Sequence, residues 1–304
     1  MKPSTYFLRT FGCQMNDHDA ERIRAAMEDR GYRRVSRPED ADVLVYNTCT
    51  VRASADQRLA GHLGAAARIK RQDPRRVVVL TGCLPQAEQA AVFTRFPFVD
   101  IALGPQNLHR MLLAVEQARE GGLAKGGEPR GFFEDGSLLS GSLPARRERP
   151  FQAWVQVMSG CTNFCTYCIV PYVRGPERSR PADEILTELR ALVADGVREV
   201  TFLGQNVNAY GRDLRGSQKS DTTRTFAGLL RMADAVGGLD RIRFLTSHPK
   251  DLGDEMIAAM AQAPAVCEHL HLPVQSGSNA VLERMRRGYS AQMYLRLLDK
   301  VRAA

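Results

Sequence analysis

Strand-like and helix-like segments alternate through the first 118 residues, and this alternation constrains the fold more than any other feature. Short apolar runs rich in β-branched residues occupy residues 6–11, 42–47, 76–81 and 99–103. Each run precedes an amphipathic stretch typical of a helix, at residues 17–30, 54–71, 85–94 and 106–119. Parallel strands require such crossover helices, so the pattern predicts a doubly wound α/β domain with a parallel sheet.

A cysteine follows each of the first three predicted strands: Cys13, Cys49 and Cys83. The carboxyl ends of parallel strands share one edge of a sheet, where ligand sites form, so these thiols are expected to lie close together. Gly12 and Gly82 precede two of them and would let the backbone approach closely. Three buried structural thiols are the alternative. The recurrence at three strand ends favours three ligands of a metal cluster that leaves one iron open.

A second cysteine triad, Cys161, Cys165 and Cys168, has the spacing C-x3-C-x2-C and follows a strand-like run at residues 153–157. Three thiolates in one short loop can bind three irons of a [4Fe–4S] cluster, which usually takes four protein ligands. The fourth iron would then be open as a reaction site. A structural zinc site is the alternative, but half of the usual pair of C-x2-4-C elements is missing, and Cys267 would be a distant fourth ligand. A disulfide is the least favoured reading.

The second half of the chain repeats a β/α pattern. Predicted strands occupy residues 153–157, 199–203, 241–246 and 269–274, and predicted helices occupy residues 182–195, 226–236 and 251–262. Four such repeats predict an incomplete TIM-like barrel, whose chemistry would gather at the carboxyl ends of the strands. His248 is expected to hydrogen-bond within a loop, with a role as an acid or base at this edge as the alternative. Cys267 is expected to be a core thiol. His269 and His271 are expected either to pack in the interior or to hydrogen-bond to residues that themselves line the site.

Glycine and proline accumulate between residues 120 and 150, which predicts a linker between a domain at residues 1–119 and a domain at residues 151–304. Within the linker, Phe132 and Phe133 are expected to pack onto a domain. The chain lacks an apolar run long enough to span a bilayer and a secretory leader, and its seven cysteines are an odd number, so a reducing cytoplasm is expected. The net charge of +8 is weak evidence for a nucleic-acid partner. Arginines on both sides of the Cys161–Cys168 loop place positive charge around it.

Seven stretches together resemble the radical S-adenosylmethionine (SAM) methylthiotransferases, and most closely the MiaB-type branch that acts on tRNA. They run almost from end to end of the chain: TFGCQMN (10–16), NTCTVR (47–52), SGCTNFCTYC (159–168), IVPYVRG (169–175), LGQNVNAYG (203–211), TSHP (246–249) and LPVQSGS (272–278). The combination is far more specific than the three-cysteine loop alone.

The resemblance implies two [4Fe–4S] clusters and SAM as cofactors, with a radical-SAM barrel as the second domain. Cys161, Cys165 and Cys168 would bind the cluster that cleaves SAM, and Cys13, Cys49 and Cys83 would bind an auxiliary cluster that carries or donates sulfur. Tyr167, Gln205 and Gln275 are the expected SAM contacts.

The implied reaction is methylthiolation at C2 of an N6-isopentenyladenosine immediately 3′ of the anticodon. The first of two SAM molecules would methylate a sulfur at the auxiliary cluster, and the second would yield the 5′-deoxyadenosyl radical. The expected partners are a tRNA anticodon stem-loop, an electron donor such as flavodoxin or ferredoxin, and a sulfur source, with no membrane.

Three alternatives remain at this stage. The related branches methylthiolate threonylcarbamoyl-adenosine in tRNA or an aspartate of a ribosomal protein. Gln14, Met15 and Asn16 match the tRNA branch rather than the ribosomal one. Gln205, Asn206 and Val207 argue against the threonylcarbamoyl branch. A metal-stabilised RNA-binding protein without catalysis is a third reading. Family members also continue into a small β-rich RNA-binding (TRAM) domain, which nothing in these 304 residues matches, so a C-terminally truncated chain is expected.

Overall fold

The computed structural model describes residues 4–50, 53–122, 128–134, 145–214 and 224–304. The chain divides into two compact units, which are described separately. The first comprises Met1–Arg146 with Tyr172–Arg174, and the second comprises Arg147–Pro171 with Gly175–Ala304. The parts of the predicted linker at residues 123–127 and 135–144 lie outside the described residues.

The first unit contains a parallel sheet of six strands in the order β2-β1-β3-β4-β5-β6. The sheet and its crossover helices confirm the predicted doubly wound α/β fold. The strands are β1 (Thr5–Thr10), β2 (Arg33–Arg34), β3 (Val43–Thr48), β4 (Val77–Gly82), β5 (Ile101–Leu103) and β6 (Arg130–Phe132). The helices are α1 (Gln14–Asp29), α2 (Ala53–Gln72), α3 (Cys83–Glu88), α4 (Ala91–Arg95) and α5 (Met111–Gln117).

Two hydrophobic cores cover the two faces of this sheet, because successive side chains of a strand point to opposite faces. Tyr6 and Leu8 of β1 pack on one face with side chains of α1 and α5, and Phe7 packs on the other with side chains of α2. The wholly buried strands β3 and β4 supply apolar residues to both cores. Burial on both faces explains why these two strands read as nearly continuous apolar runs.

The predicted linker contributes to the first unit where it is described. Strand β6 pairs in parallel with β5, with Leu103 opposite Phe132. Phe132 and Phe133 pack against the two different cores, as expected from the sequence.

The second unit contains a parallel three-stranded sheet in the order β11-β10-β7 and a small antiparallel pair, β8-β9. The strands are β7 (Gln152–Gln156), β8 (Met158–Ser159), β9 (Arg178–Ser179), β10 (Glu199–Leu203) and β11 (Arg241–Phe244). The helices are α6 (Val170–Arg174), of which residues 172–174 group with the first unit, α7 (Ala182–Ala194), α8 (Phe226–Asp234), α9 (Asp254–Gln262), α10 (Asn279–Arg284) and α11 (Ala291–Ala303).

The predicted strand at residues 269–274 is wrong. The chain approaches β11 through one parallel bridge between Ile242 and Val266, and no regular strand follows it there. The alternation of the sequence is nevertheless expressed, because Leu270 and Leu272 pack against the core. His269 and His271 are exposed, so their predicted interior packing is wrong, although His271 Nδ1 accepts a hydrogen bond from the Thr246 N–H at 3.4 Å.

Among the described residues, no helix has the length and apolarity needed to cross a membrane.

Candidate cluster and cofactor sites

The first cysteine triad lies at the carboxyl edge of the six-stranded sheet. Cys13 caps the amino terminus of α1, Cys49 directly follows β3, and Cys83 is the first residue of α3. The three preceding strands are direct neighbours, since β3 pairs with both β1 and β4. Cys49 and Cys83 are buried, Cys13 is half-buried, and all three are free thiols. The sheet therefore brings these residues to one edge, as the strand-end pattern predicts.

Two glycines allow the cysteine-bearing loops to approach each other closely. A Cβ on Gly12 would lie 2.4 Å from Cys49 Cβ and 3.1 Å from its Sγ. A Cβ on Gly82 would lie 2.2 Å from the carbonyl oxygen of Thr48, the residue before Cys49. Both glycines have a positive φ, which residues with a side chain rarely adopt. The close approach predicted for these two glycines is confirmed.

Two asparagines lock the first and second loops together. Asn16 donates from Nδ2 to Asn47 Oδ1 at 3.0 Å and to the Thr48 carbonyl at 2.9 Å, and Asn47 donates from Nδ2 to the Asn16 carbonyl at 2.8 Å. Asn16 Oδ1 also accepts from the Cys13 thiol at 3.3 Å. Both asparagines are fully buried, so this network positions Cys13 against Cys49. No role was predicted for these two residues from the sequence, although both lie in the quoted motifs.

A buried arginine adds positive charge to this triad. Arg174 is 7% exposed, and its guanidinium lies 3.7 Å from the buried carboxylate of Asp19. Burial would lower the pKa of Arg174, but the neighbouring Cys83 thiol and Asp19 carboxylate raise it above its usual value. A hydrogen bond with Cys49 lowers the pKa of Cys13 and outweighs its burial, and the Arg174 charge lowers it further. Thiolate, the form that binds metal, is thereby favoured at Cys13.

The second triad lies in the loop that follows β7 and β8. Cys161 and Cys165 are each 8% exposed and Cys168 is half-buried. The loop is compact: the Cys168 N–H donates to the Cys165 carbonyl at 2.9 Å, and the Cys161 N–H donates to the Gly175 carbonyl at 3.1 Å. Burial raises the pKa of Cys161 to about 11, so binding of a cationic group is required to hold this thiol as thiolate.

The segment after α10 fixes the middle of this loop. Thr166 donates from its backbone N–H to the Met285 carbonyl at 3.3 Å and from Oγ1 to the Arg284 carbonyl at 3.1 Å. These partners are more than 100 residues away in sequence and belong to no motif, so sequence reasoning missed them.

Unpaired polar atoms gather at the carboxyl ends of β10 and β11. Both polar atoms of the Gln205 side chain are buried and have no hydrogen-bond partner among the described residues. The same is true of three single atoms: Asn206 Oδ1, Ser247 Oγ and His248 Nε2. Buried polar groups are nearly always paired, so an unpaired group calls for a bound partner. His248 Nδ1 accepts from the Lys250 N–H at 3.2 Å, which confirms its predicted hydrogen bond within a loop.

The remaining expected cofactor contacts are exposed. Tyr167 is 51% exposed, and Gln275 is exposed with a φ of 64°. The role of Tyr167, Gln205 and Gln275 in binding SAM stays a prediction, as does cluster binding by the six cysteines. In the described part of the chain, no three His, Cys, Asp or Glu side chains converge on a site for a single metal ion.

Several arginines that flank the Cys161–Cys168 loop in the sequence are in ion pairs. Arg180 is 4% exposed and contacts Glu188 Oε2 at 2.7 Å, and Arg174 is paired as described above. Arg146 contacts Glu28 and Asp29. Much of the bracketing charge is therefore used in ion pairs.

Comparison with known proteins assigns both halves of the chain. The model of the uncharacterized protein family UPF0004 matches residues 5–104, and that of the radical SAM superfamily matches residues 155–304. The second family implies SAM and a [4Fe–4S] cluster as cofactors. Solved structures of the radical SAM methyltransferase TsrM from Kitasatospora setae are similar in fold. One of them has a TM-score of 0.63 at 16% identity and covers 98% of this chain and 65% of that chain.

Curated relatives named tRNA-2-methylthio-N(6)-dimethylallyladenosine synthase match the whole chain. The protein of Acidothermus cellulolyticus is 46% identical over 303 residues, with 100% of this chain and 59% of the relative covered. The protein of Carboxydothermus hydrogenoformans is 45% identical over 307 residues, with 100% of this chain and 67% of the relative covered. The chain thus spans about three fifths to two thirds of the length of these relatives. With this identity, both family matches and the two cysteine triads, the chain belongs to the radical-SAM methylthiotransferase family.

Proposed function

We propose that this chain carries the catalytic machinery of a tRNA methylthiotransferase that acts on C2 of N6-isopentenyladenosine next to the anticodon. The observation that carries the proposal is the presence of two separate thiol triads in a chain about 45% identical to synthases of that name. One triad lies at the carboxyl ends of three parallel strands, and the other lies in the loop after β7 and β8. The proposal includes two [4Fe–4S] clusters, a tRNA anticodon stem-loop as substrate, and a cytoplasmic site of action. An electron donor such as flavodoxin or ferredoxin and a sulfur source complete it.

The donor sets fit two clusters with an open iron each. Each triad offers three thiols where such clusters usually take four protein ligands. The first is positioned by the hydrogen bonds between Asn16 and Asn47, and the hydrogen bond with Cys49 and the charge of Arg174 lower the pKa of Cys13 and favour its thiolate. The second is buried within a tightly hydrogen-bonded loop that excludes water from Cys161 and Cys165.

The cofactor chemistry and the protein's part in it can be separated. When bound, SAM and its cluster would supply a radical that removes a hydrogen atom from carbon. Such a radical is needed because an unactivated aromatic C–H cannot be deprotonated by an ordinary acid–base step. The protein would bind and orient: the unpaired polar atoms of Gln205, Asn206 and Ser247 are suited to hydrogen-bond the polar groups of SAM. His248 remains neutral near pH 7 because burial lowers its pKa to about 4. Its Nδ1 accepts from the Lys250 N–H, so its Nε2 carries the proton and can donate a hydrogen bond without adding charge.

The test uses the full 304-residue chain after anaerobic reconstitution with iron and sulfide. With SAM, dithionite and a tRNA carrying N6-isopentenyladenosine, we expect 5′-deoxyadenosine and the 2-methylthio product, measured by mass spectrometry. A tRNA carrying threonylcarbamoyl-adenosine is the matched substrate control and should give no product.

Two variants separate the roles of the triads. The Cys161→Ala/Cys165→Ala/Cys168→Ala variant should form neither product, whereas the Cys13→Ala/Cys49→Ala/Cys83→Ala variant should still form 5′-deoxyadenosine without methylthiolation. A reconstituted wild-type chain that binds tRNA but forms no 5′-deoxyadenosine would support a non-catalytic RNA-binding protein and contradict the proposal.

A further inference from the structure

A buried arginine contacts the second cysteine triad from the C-terminal end of the chain. Arg287 follows α10 and is 5% exposed. Its Nη1 lies 3.3 Å from Cys165 Sγ and 3.3 Å from the hydroxyl oxygen of Tyr167, and both contacts have hydrogen-bond geometry. The guanidinium therefore contacts a predicted cluster ligand directly, although 122 residues separate the two in sequence.

An independent set of contacts holds the guanidinium in this position. Arg287 Nε donates to the Tyr289 hydroxyl at 3.3 Å, and that hydroxyl donates to the Val274 carbonyl at 2.8 Å. The guanidinium carbon also lies 5.5 Å from the centre of the Tyr289 ring, within the range of a cation–π interaction. The Arg287 N–H donates to the Leu282 carbonyl at 3.0 Å and ties the backbone to α10. Arg287 is thus oriented towards the thiol by groups that are not themselves predicted cluster ligands.

In the described part of the chain, the charge of Arg287 lacks a carboxylate partner. Within the described residues, none lies within 4.0 Å of its guanidinium, whereas the buried Arg174 and Arg180 both have one. An arginine remains charged in proteins, and burying its charge is costly unless an anionic group compensates it. The thiolates of the second triad, which would give a bound iron–sulfur cluster its net negative charge, are the nearest candidates for that compensation.

We propose that Arg287 is a positioning residue for the cluster bound by Cys161, Cys165 and Cys168, and that its hydrogen bond to Cys165 raises the reduction potential of that cluster. The inference rests on the proposed function. Reduction transfers one electron from a reductant such as dithionite to the cluster and moves no atom or proton. The reduced form carries one more negative charge, so a donor fixed on a ligand sulfur stabilises it over the oxidised form. Hydrogen bonds to the sulfurs are among the factors that set such potentials.

The experiment compares Arg287→Gln, Arg287→Lys and a matched control, Arg286→Gln, in the full chain. Arg286 is the adjacent arginine and is exposed, so its replacement removes the same charge without changing the contact to Cys165. All variants, and their parent, carry Cys13→Ala/Cys49→Ala/Cys83→Ala, so that the titration follows only the cluster bound by Cys161, Cys165 and Cys168. The readouts are iron per chain and the midpoint potential, from a titration followed by electron paramagnetic resonance.

We expect Arg287→Gln to lower the ratio of reduced to oxidised cluster at a fixed potential about tenfold, which is a shift of about 59 mV for one electron. Arg287→Lys keeps the positive charge but lacks the several N–H donors of a guanidinium, so it should shift the midpoint potential less. Arg286→Gln should have the midpoint potential of the parent. A Gln variant that loses iron while the Lys variant retains it would also support the role of the cation.

Two results would overturn the inference while leaving the proposed function intact. One is a Gln variant with full iron and the parent potential. The other is equal iron loss in the Gln and Lys variants, which would show that the packing of the Arg287 side chain, and not its charge, supports the cluster. A parent chain that binds no iron at Cys161, Cys165 and Cys168 would instead refute the proposed function and this inference with it.

Discussion

Gly82 offers the most direct structural test of the first cysteine site. Its φ of 98° and ψ of −153° fall in a region that is essentially restricted to glycine. A Cβ at this position would lie 2.2 Å from the Thr48 carbonyl oxygen and 2.9 Å from Asn47 Oδ1. Gly82→Ala therefore forces apart the ends of β3 and β4, which carry Cys49 and Cys83.

The cost of this substitution has two parts. A residue with a side chain in such a backbone conformation costs about 1–3 kcal/mol. Overpacking against backbone that cannot move freely adds about 1–3 kcal/mol. The free energy of unfolding of the first unit should therefore fall by about 2–6 kcal/mol. Its melting temperature should fall by about 4 °C or more, since 1 kcal/mol shifts the melting temperature of a domain of this size by about 2–4 °C.

The assay is anaerobic calorimetry together with iron analysis, in a Cys161→Ala/Cys165→Ala/Cys168→Ala background in which only the first triad can bind a cluster. Gly61→Ala is the matched control, because Gly61 lies in α2 and a Cβ added there would meet nothing within 4 Å. Alanine should stabilise that helix by about 0.5–1 kcal/mol and leave iron unchanged. If Gly82→Ala kept both the melting temperature and the iron content of its parent, the argument that the close approach of these two strand ends builds the site would be wrong.

Three further predictions concern other parts of the chain. Lys70→Met should destabilise the first unit by about 3–5 kcal/mol in calorimetry, because Asp100 would lose its 2.8 Å ion pair and remain as a buried, uncompensated charge; a change below 1 kcal/mol would contradict this. Burial lowers the pKa of His248 to about 4, from about 6.5 in the unfolded chain. The stability that the buried neutral imidazole gives the folded chain is therefore fully present above pH 6.5 and is lost as the pH falls through 4. In urea unfolding, the free energy of unfolding of the wild type should therefore fall by up to about 3 kcal/mol more over that pH range than that of His248→Gln. Equal pH dependence of the two proteins would show that the pKa of His248 is not lowered. Cys267→Ala should leave iron per chain unchanged, because this half-buried thiol belongs to neither triad; loss of about four irons would make it a ligand.

The sequence predicted the first unit well because its signals are local. Strands β3 and β4 are buried on both faces, so their apolar runs stand out, and the observed ends differ from the predicted ones by one residue. The helix predicted at residues 85–94 is instead two short helices, α3 and α4, with Gln89 between them at a φ of 49°. A positive φ at a residue other than glycine is set by tertiary packing and leaves no pattern in the sequence.

The second unit shows where local patterns fail. Residues 269–274 have the alternation of a strand, but strand formation also requires a paired neighbour. Among the described residues, one parallel bridge pairs this part of the chain with β11, at Val266 before the stretch begins. Arg287 belonged to no motif, because its contact with Cys165 depends on how α10 packs against the cysteine loop. The sequence places positive charge on both sides of the loop, but it does not show that ion pairs such as Arg146–Glu28 and Arg180–Glu188 use much of this charge.

The central claim is that each of the two triads holds its own cluster, and metal content tests it most directly. Iron and acid-labile sulfide per chain should be measured after anaerobic reconstitution for the wild type and for the Cys161→Ala/Cys165→Ala/Cys168→Ala variant. The account predicts about eight irons in the wild type and about four in the variant, as expected for two independent [4Fe–4S] clusters. About four irons falling to none would leave Cys13, Cys49 and Cys83 without a cluster, and zinc in place of iron would contradict the account as a whole.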